Sequence, residues 1–133
     1  MNTHYLLDTS AASHAIAKRS PVFDRRLARV PMSQLAISAV TEGELRYGLA
    51  RRPSAPLRST IETFLLALTV FPWDSKAAQR YGDLRAALER EGQLLGSLDM
   101  MIAAHALSLG LVLVSSDMAF KRIKHLKVED WTR

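Results

Sequence analysis

Four of the thirteen acidic residues stand where a solvated surface acid is not usually found. Asp8 directly follows the apolar run Tyr5-Leu6-Leu7 and precedes Thr9-Ser10 and a helical stretch. Asp117 repeats the arrangement after Leu111-Val112-Leu113-Val114 and Ser115-Ser116. Ligands of open α/β sheets bind outside the carboxyl ends of strands, so both aspartates fall at a functional edge. Each also suits a helix N-cap. Two parallel strands that both end in aspartate bring those ends close together. Glu44 lies in VTEGELRYGL at 40–49. Helical periodicity puts Val40, Leu45, Tyr47, Gly48 and Leu49 on one inward arc with Glu44 inside it, Glu42 at its margin and Arg46 outside. An inward glutamate needs a partner, a metal ion or a lysine, because an unpaired buried charge is expensive. Thr41-x-x-Glu44 also has capping-box spacing. Asp99 opens a segment, Leu98 to Leu107, that is apolar nearly all round and so reads as buried. It can complement a helix dipole, and Ala103 and Ala106 along its face leave its carboxylate room for another partner.

Carboxylates from four elements, with no cysteine in the chain, suggest a site for a hard cation. Oxygen ligands suit Mg²⁺ or Mn²⁺. Crowded acids repel one another and hold protons more tightly unless a cation sits between them. Mg²⁺ held this way keeps waters and accepts phosphate oxygens, which is the equipment of phosphodiester hydrolysis. Other chemistries find less support. The histidines at 4, 14, 105 and 125 have no paired ligand spacing, and His105 reads as a satisfied core histidine. No serine sits in a GxSxG setting, and there is no Walker A or GxGxxG motif. Met100, Met101 and Trp73 read as core, and Trp131 as packing for the C-terminal segment.

These acids need a scaffold. Strands are expected at His4–Leu7, Leu35–Ser38, Val70–Pro72 and Leu111–Val114, with a short edge strand at Val128. Helices are expected at Thr9–Lys18, Val22–Val30, Val40–Arg51, Ala55–Leu68, Ser75–Glu91 and Leu98–Leu109. Strands alternating with helices imply parallel βαβ units and an α/β sandwich. The 133 residues contain no repeat or linker and read as a single domain, 1–133.

Lysine and arginine number 18 against 13 acids, a net charge of +5. That balance favours a polyanionic partner, nucleic acid first among them. Arg46, Arg51, Arg52 and Arg58 occur with no acid between Leu45 and Ile61, and Lys121, Arg122, Lys124 and Lys127 cluster near the end. Arg46, Arg51, Arg52, Lys121 and Arg122 are the candidates for a basic rim that binds RNA backbone without reading sequence. No export signal or membrane span is visible, so a cytoplasmic protein without membrane contact is expected.

The ordered segments LLDTS at 6–10, VTEGELRYG at 40–48, GSLDMMIAAHALSLGLVLVSSDMAF at 96–120 and LKVEDW at 126–131 resemble the PIN-domain ribonucleases. In particular they resemble the VapC toxins of type II toxin–antitoxin systems. The family's four acids match Asp8, Glu44, Asp99 and Asp117. Its small hydroxyl residue before the fourth acid matches Ser115, and Thr9 stands beside the first acid. Ser10 and Ser116 occupy positions where many members have asparagine. The resemblance implies a three-layer sandwich with a central parallel β-sheet flanked by helices. It implies a Mg²⁺- or Mn²⁺-dependent endoribonuclease that cuts structured RNA, tRNA foremost, and so blocks translation. It also implies a homodimer and a cognate VapB-type antitoxin that masks the acids, with operator DNA bound only through the antitoxin complex.

Two other functions fit parts of the sequence. A non-catalytic nucleic-acid-binding module, acting with its partner on operator DNA, fits the charge but not the complete acid set. A phosphohydrolase using Asp8 as nucleophile lacks the usual second aspartate, because Ser10 stands there.

Overall fold

Five short strands, all parallel, form one sheet in the order β3-β2-β1-β4-β5. The computed structural model describes residues 3–133. The strands are β1 (Tyr5–Leu7), β2 (Leu35–Ser38), β3 (Thr69–Phe71), β4 (Val112–Val114) and β5 (Val128–Glu129). Between them lie α1 (Thr9–Ala17), α2 (Pro21–Ala28), α3 (Ala39–Arg51), α4 (Ala55–Ala67), α5 (Ser75–Arg90) and α6 (Ser97–Leu109). Short 3₁₀ turns cover Met32–Gln34 and Met118–Arg122. The expected three-layer α/β sandwich is present.

Strand alternation builds the layers. Leu7, Leu35, Ile37 and Val114 point to one face and pack with Ala11, Ala12, Phe23, Leu45 and Trp131, under α1 to α4. Leu6, Ala36 and Leu113 point to the other and pack with Met100, Ile102, Ala103, Ala106 and Phe120, under α5, α6 and the second 3₁₀ turn. Both faces are covered, as a parallel sheet requires.

Chain order explains the geometry of the functional edge. The first crossovers carry the chain from β1 to β2 to β3, and the next pass returns it to the other side of β1 as β4. The direction of winding reverses between β1 and β4, which are hydrogen-bonded neighbours. A crevice opens at such a switch point, at the carboxyl ends of the strands.

Local signals set the helix ends. Asp8 caps α1, accepting from the Ala11 N–H at 2.7 Å, and Lys18 closes it in a left-handed conformation. Ser20 caps α2, with Pro21 in its first turn. Asp74 caps α5. Gly110, at φ +67°, ends α6 in a conformation that glycine adopts without strain. The third strand covers Thr69–Phe71 rather than Val70–Pro72. Pro72 has no N–H to give the ladder. His105 is a core histidine, as expected, 1 % exposed. Its Nδ1 lies 2.8 Å from the Ser38 hydroxyl. Trp131 is buried against Tyr5 and Phe23, with the Arg26 guanidinium over its ring. Trp73 is only half-buried, its indole N–H reaching the Met101 carbonyl at 3.0 Å.

Candidate metal centre

Register fixes the first two acids. Leu7 pairs with Val114, and the Asp8 N–H donates to the Val114 carbonyl at 3.1 Å. Asp8 therefore leaves β1 level with Ser115 at the end of β4, with Asp117 two residues beyond. Ser115 links them: its hydroxyl oxygen accepts from the Asp117 N–H at 3.0 Å and its proton serves the Asp8 carboxyl. Asp117 also caps the 3₁₀ turn that follows, accepting from the Ala119 N–H. Both aspartates are thus caps and edge residues at once.

Glu44 comes from α3, which starts directly after β2. Thr9 Oγ1 donates to Glu44 Oε1, and Thr41 Oγ1 stands 3.3 Å from the Thr9 hydroxyl. Thr9 has one proton, so the buried Thr41 supplies its own to Thr9. Thr9 thereby ties α3 to the start of α1 and holds Glu44 beside the Asp8 turn. Asp99 occupies the first turn of α6, where the helix dipole favours an anion. Its Oδ2 lies 3.7 Å from where a Cβ at Gly96 would sit.

Asp99 links the acids electrostatically: Asp8 faces the charges of Asp99 and Asp117, and Asp99 those of Asp117 and Glu44. Burial is the main cause that pushes the Asp8 carboxyl above the usual range, and the charges of Asp99 and Asp117 push the same way. Hydrogen bonds from Ser115 and the Ala11 N–H oppose them. Asp99 is raised too, by burial first and then by Asp117 and Glu44. Among the described residues no three acidic or histidine side chains are close enough to hold an ion as they stand. Glu44 is turned towards the Thr9 hydroxyl. The donor set still fits a hard cation. It is all oxygen, it converges from four elements, and two members are destabilised as anions in a way that a divalent cation would relieve.

Three sequence expectations change. Tyr47 does not face inward; it is 64 % exposed. The buried stripe of α3 is Thr41, Leu45 and Leu49, and Tyr47 lies about 200° round from Leu45. Glu44 sits on the flank of that stripe, half-buried. The capping box is not used: α3 begins three residues earlier, capped by Ser38, whose hydroxyl accepts from the Val40 N–H. Of the basic candidates, Arg46 is held between Glu42 and Glu62, each at 2.8 Å, so both flanks of its guanidinium face acids. Arg51 lies over the Tyr47 ring at 5.7 Å. Arg52 lines a groove of about 490 Å³ that also takes in Thr9, Glu44 and Gly48. Lys121 and Arg122 follow Asp117 on the 3₁₀ turn, but Arg122 faces a different groove, with Arg80 and Lys124. Arg19 and Ser13 line the Glu44 groove as well and were missed. Both lie outside every recognisable motif, and only the packing of α1 against α3 brings them there.

The PIN-domain family model matches residues 5–126. Ribonuclease VapC2 of Haemophilus influenzae is 37 % identical over 130 residues, covering 96 % of this chain and 97 % of that protein. The tRNA(fMet)-specific endonuclease VapC of Salmonella typhimurium is 38 % identical over 130 residues, with the same coverage. Among solved structures, VapBC2 from Rickettsia felis bound to a DNA fragment from its promoter superimposes with a TM-score of 0.88. It is 31 % identical and covers 96 % of this chain and 98 % of that one.

Proposed function

The chain belongs to the PIN-domain family and, within it, to the VapC ribonucleases, and from that premise we propose that it is the toxin of a type II toxin–antitoxin pair, a divalent-metal-dependent endoribonuclease. The observation that supports this most is the convergence of Asp8, Glu44, Asp99 and Asp117 at the switch point of the sheet, where two of the four are strained as anions.

Each acid is placed by its own element. Asp8 is pinned by the Ala11 N–H and Ser115, Glu44 by Thr9, Asp117 by its cap, and Asp99 by the first turn of α6. Bound Mg²⁺ or Mn²⁺ would supply an activated water and neutralise charge on the phosphoryl group. Arg52, in the groove with Glu44, and Lys121, on the turn after Asp117, would hold flanking phosphates and so position the RNA strand. Arg51 lies further along α3 from Glu44 and would extend that rim.

Structured RNA is the substrate, with tRNA first, because two relatives are named as tRNA(fMet)-specific endonucleases. The partner is a VapB-type antitoxin, since similar chains were solved as VapBC complexes on DNA, and operator DNA is reached only through that complex. The toxin acts in the cytoplasm as a homodimer. No helix among the described residues is long and apolar enough to cross a membrane.

The test uses purified, partner-free protein with total tRNA, with Mg²⁺ and with EDTA, beside Asp99→Asn. Discrete products that disappear with EDTA and with the variant support the reading, and mapped ends name the RNA. Cleavage that persists in EDTA, or in Asp99→Asn, rules out this site.

A further inference from the structure

β4 and β5 are parallel neighbours, so the link between them must return from the acid edge to the opposite edge of the sheet. It makes that passage over the α5–α6 face with a 3₁₀ turn, not a full helix. α6 makes the same passage in 13 residues, about 20 Å. After Asp117 the link carries Lys121, Arg122, Lys124, His125 and Lys127, and no acid before Glu129. Its apolar residues turn inward: Phe120 and Ile123 are buried. The five basic residues consequently face solvent.

Neighbouring elements extend this strip. Arg80 of α5 lines two adjoining depressions along it. The first, about 360 Å³, holds Arg122 and Lys124 together with Asp83 and Glu91. The second, about 250 Å³ at the far edge, holds Lys127 and two histidines and is lined by no acid. Among the described residues Arg80, Arg122, Lys124 and Lys127 make no salt bridge. Lys121 feels the charge of Asp130. The carbonyl end of α6 favours cations near Gly110, which accounts for Lys127 but not for Lys121, on the turn that follows Asp117.

We infer that this strip is a second RNA-binding surface, which grips the sugar–phosphate backbone of a folded substrate beyond the cleavage point. The inference rests on the ribonuclease reading above. The strip begins at Asp117, so a polyanion lying along its whole length also reaches the acid edge. A phosphodiester chain does both, laying phosphates on the cations and delivering one to the metal centre. A substrate long enough to run the height of the molecule gains contacts that a short oligonucleotide cannot make.

The test is binding to the full chain carrying Asp99→Asn, with and without the triple change Arg80→Ala, Lys124→Ala and Lys127→Ala. The probes are unfractionated tRNA and hexauridylate, from 50 to 200 mM salt. Each lost phosphate contact flattens the log–log salt slope by roughly 0.7–0.9, so three contacts shrink the advantage of the parent on tRNA by about 20- to 40-fold across that range. Hexauridylate should show a slope change of less than about one contact. In a chain with its acids intact, the triple change should raise KM for tRNA and leave kcat in place. Equal tRNA slopes, at matched melting temperatures, would overturn the inference. So would equal losses on both probes, or a change in oligomeric state with tRNA affinity intact. tRNA binding with the expected slope but no cleavage by the wild-type chain would fault the ribonuclease reading and leave the strip standing.

Discussion

Asp8→Asn separates what the first acid does for the fold from what it does for the reaction. Asparagine caps a helix as well as aspartate does, so its side-chain oxygen keeps the 2.7 Å bond from the Ala11 N–H. What it removes is a carboxylate buried to 4 % exposure that faces the charges of Asp99 and Asp117. Asp8 has a raised pKa in the folded chain, so the native state binds more protons than the unfolded state. The slope of stability with pH is then negative. The penalty is absent below the unfolded pKa, grows as pH rises, and is complete above the folded one. Every unit of the shift is worth about 1.4 kcal/mol, or about 5 °C of Tm in a domain of this size. In EDTA at pH 7, Asp8→Asn should therefore melt above wild type, and the gap should close towards pH 4. Asp8→Ala should fall below Asp8→Asn by about 0.5–2 kcal/mol, the cost of the lost cap. Mg²⁺ should raise the Tm of wild type and not that of Asp8→Asn. The assay is thermal unfolding by circular dichroism across pH. A Tm for Asp8→Asn below wild type at pH 7, with a gap that does not change with pH, would refute the claim that burial and the neighbouring acids destabilise the Asp8 carboxylate.

Three further outcomes are expected. His105 is held below the usual histidine range, mainly by burial. Its contribution is full above about pH 6.5 and is lost as pH falls below that value. His105→Ala should cost about 2–4 kcal/mol at pH 7.5, from the cavity and the lost buried hydrogen bond with Ser38, and less at pH 5.5, by urea unfolding. Trp131→Ala removes a ring that is 1 % exposed and packs on Tyr5 and Phe23, and should cost about 3–5 kcal/mol by the same method. Arg46→Ala should leave RNA affinity within about twofold, since Glu42 and Glu62 already engage its charge. Arg52→Ala should weaken binding and flatten the salt slope by about one contact, measured by filter binding.

Asp8, Asp99 and Asp117 stood out because each sits where an apolar run stops or a buried helix starts, and those junctions show in one dimension, whereas Glu44, inside α3, showed only through helical periodicity. Asp8 after Tyr5-Leu6-Leu7 and Asp117 after Leu111-Val112-Leu113-Val114 needed only the rule about strand ends. The alternation of elements was legible for the same reason. The strand order was not, because nothing local tells β4 to pair beside β1 rather than beside β3. Tyr47 was misplaced because an apolar ring was counted towards the buried face of α3, while Thr41 supplies that face instead. Arg46 was misread because its second acid partner, Glu62, comes from another helix. Thr9 beside Glu44 depends on a contact between residues 35 positions apart, and no spacing rule reaches that far.

Four acids from four elements are expected to hold one cation site. Anomalous diffraction at the manganese edge, from crystals grown with Mn²⁺, tests it most directly. A peak is expected between Asp8, Asp99 and Asp117, with carboxylate oxygens at about 2.0–2.2 Å and Glu44 in reach directly or through water. A peak held by other residues, or none at these acids under saturating Mn²⁺, would contradict it.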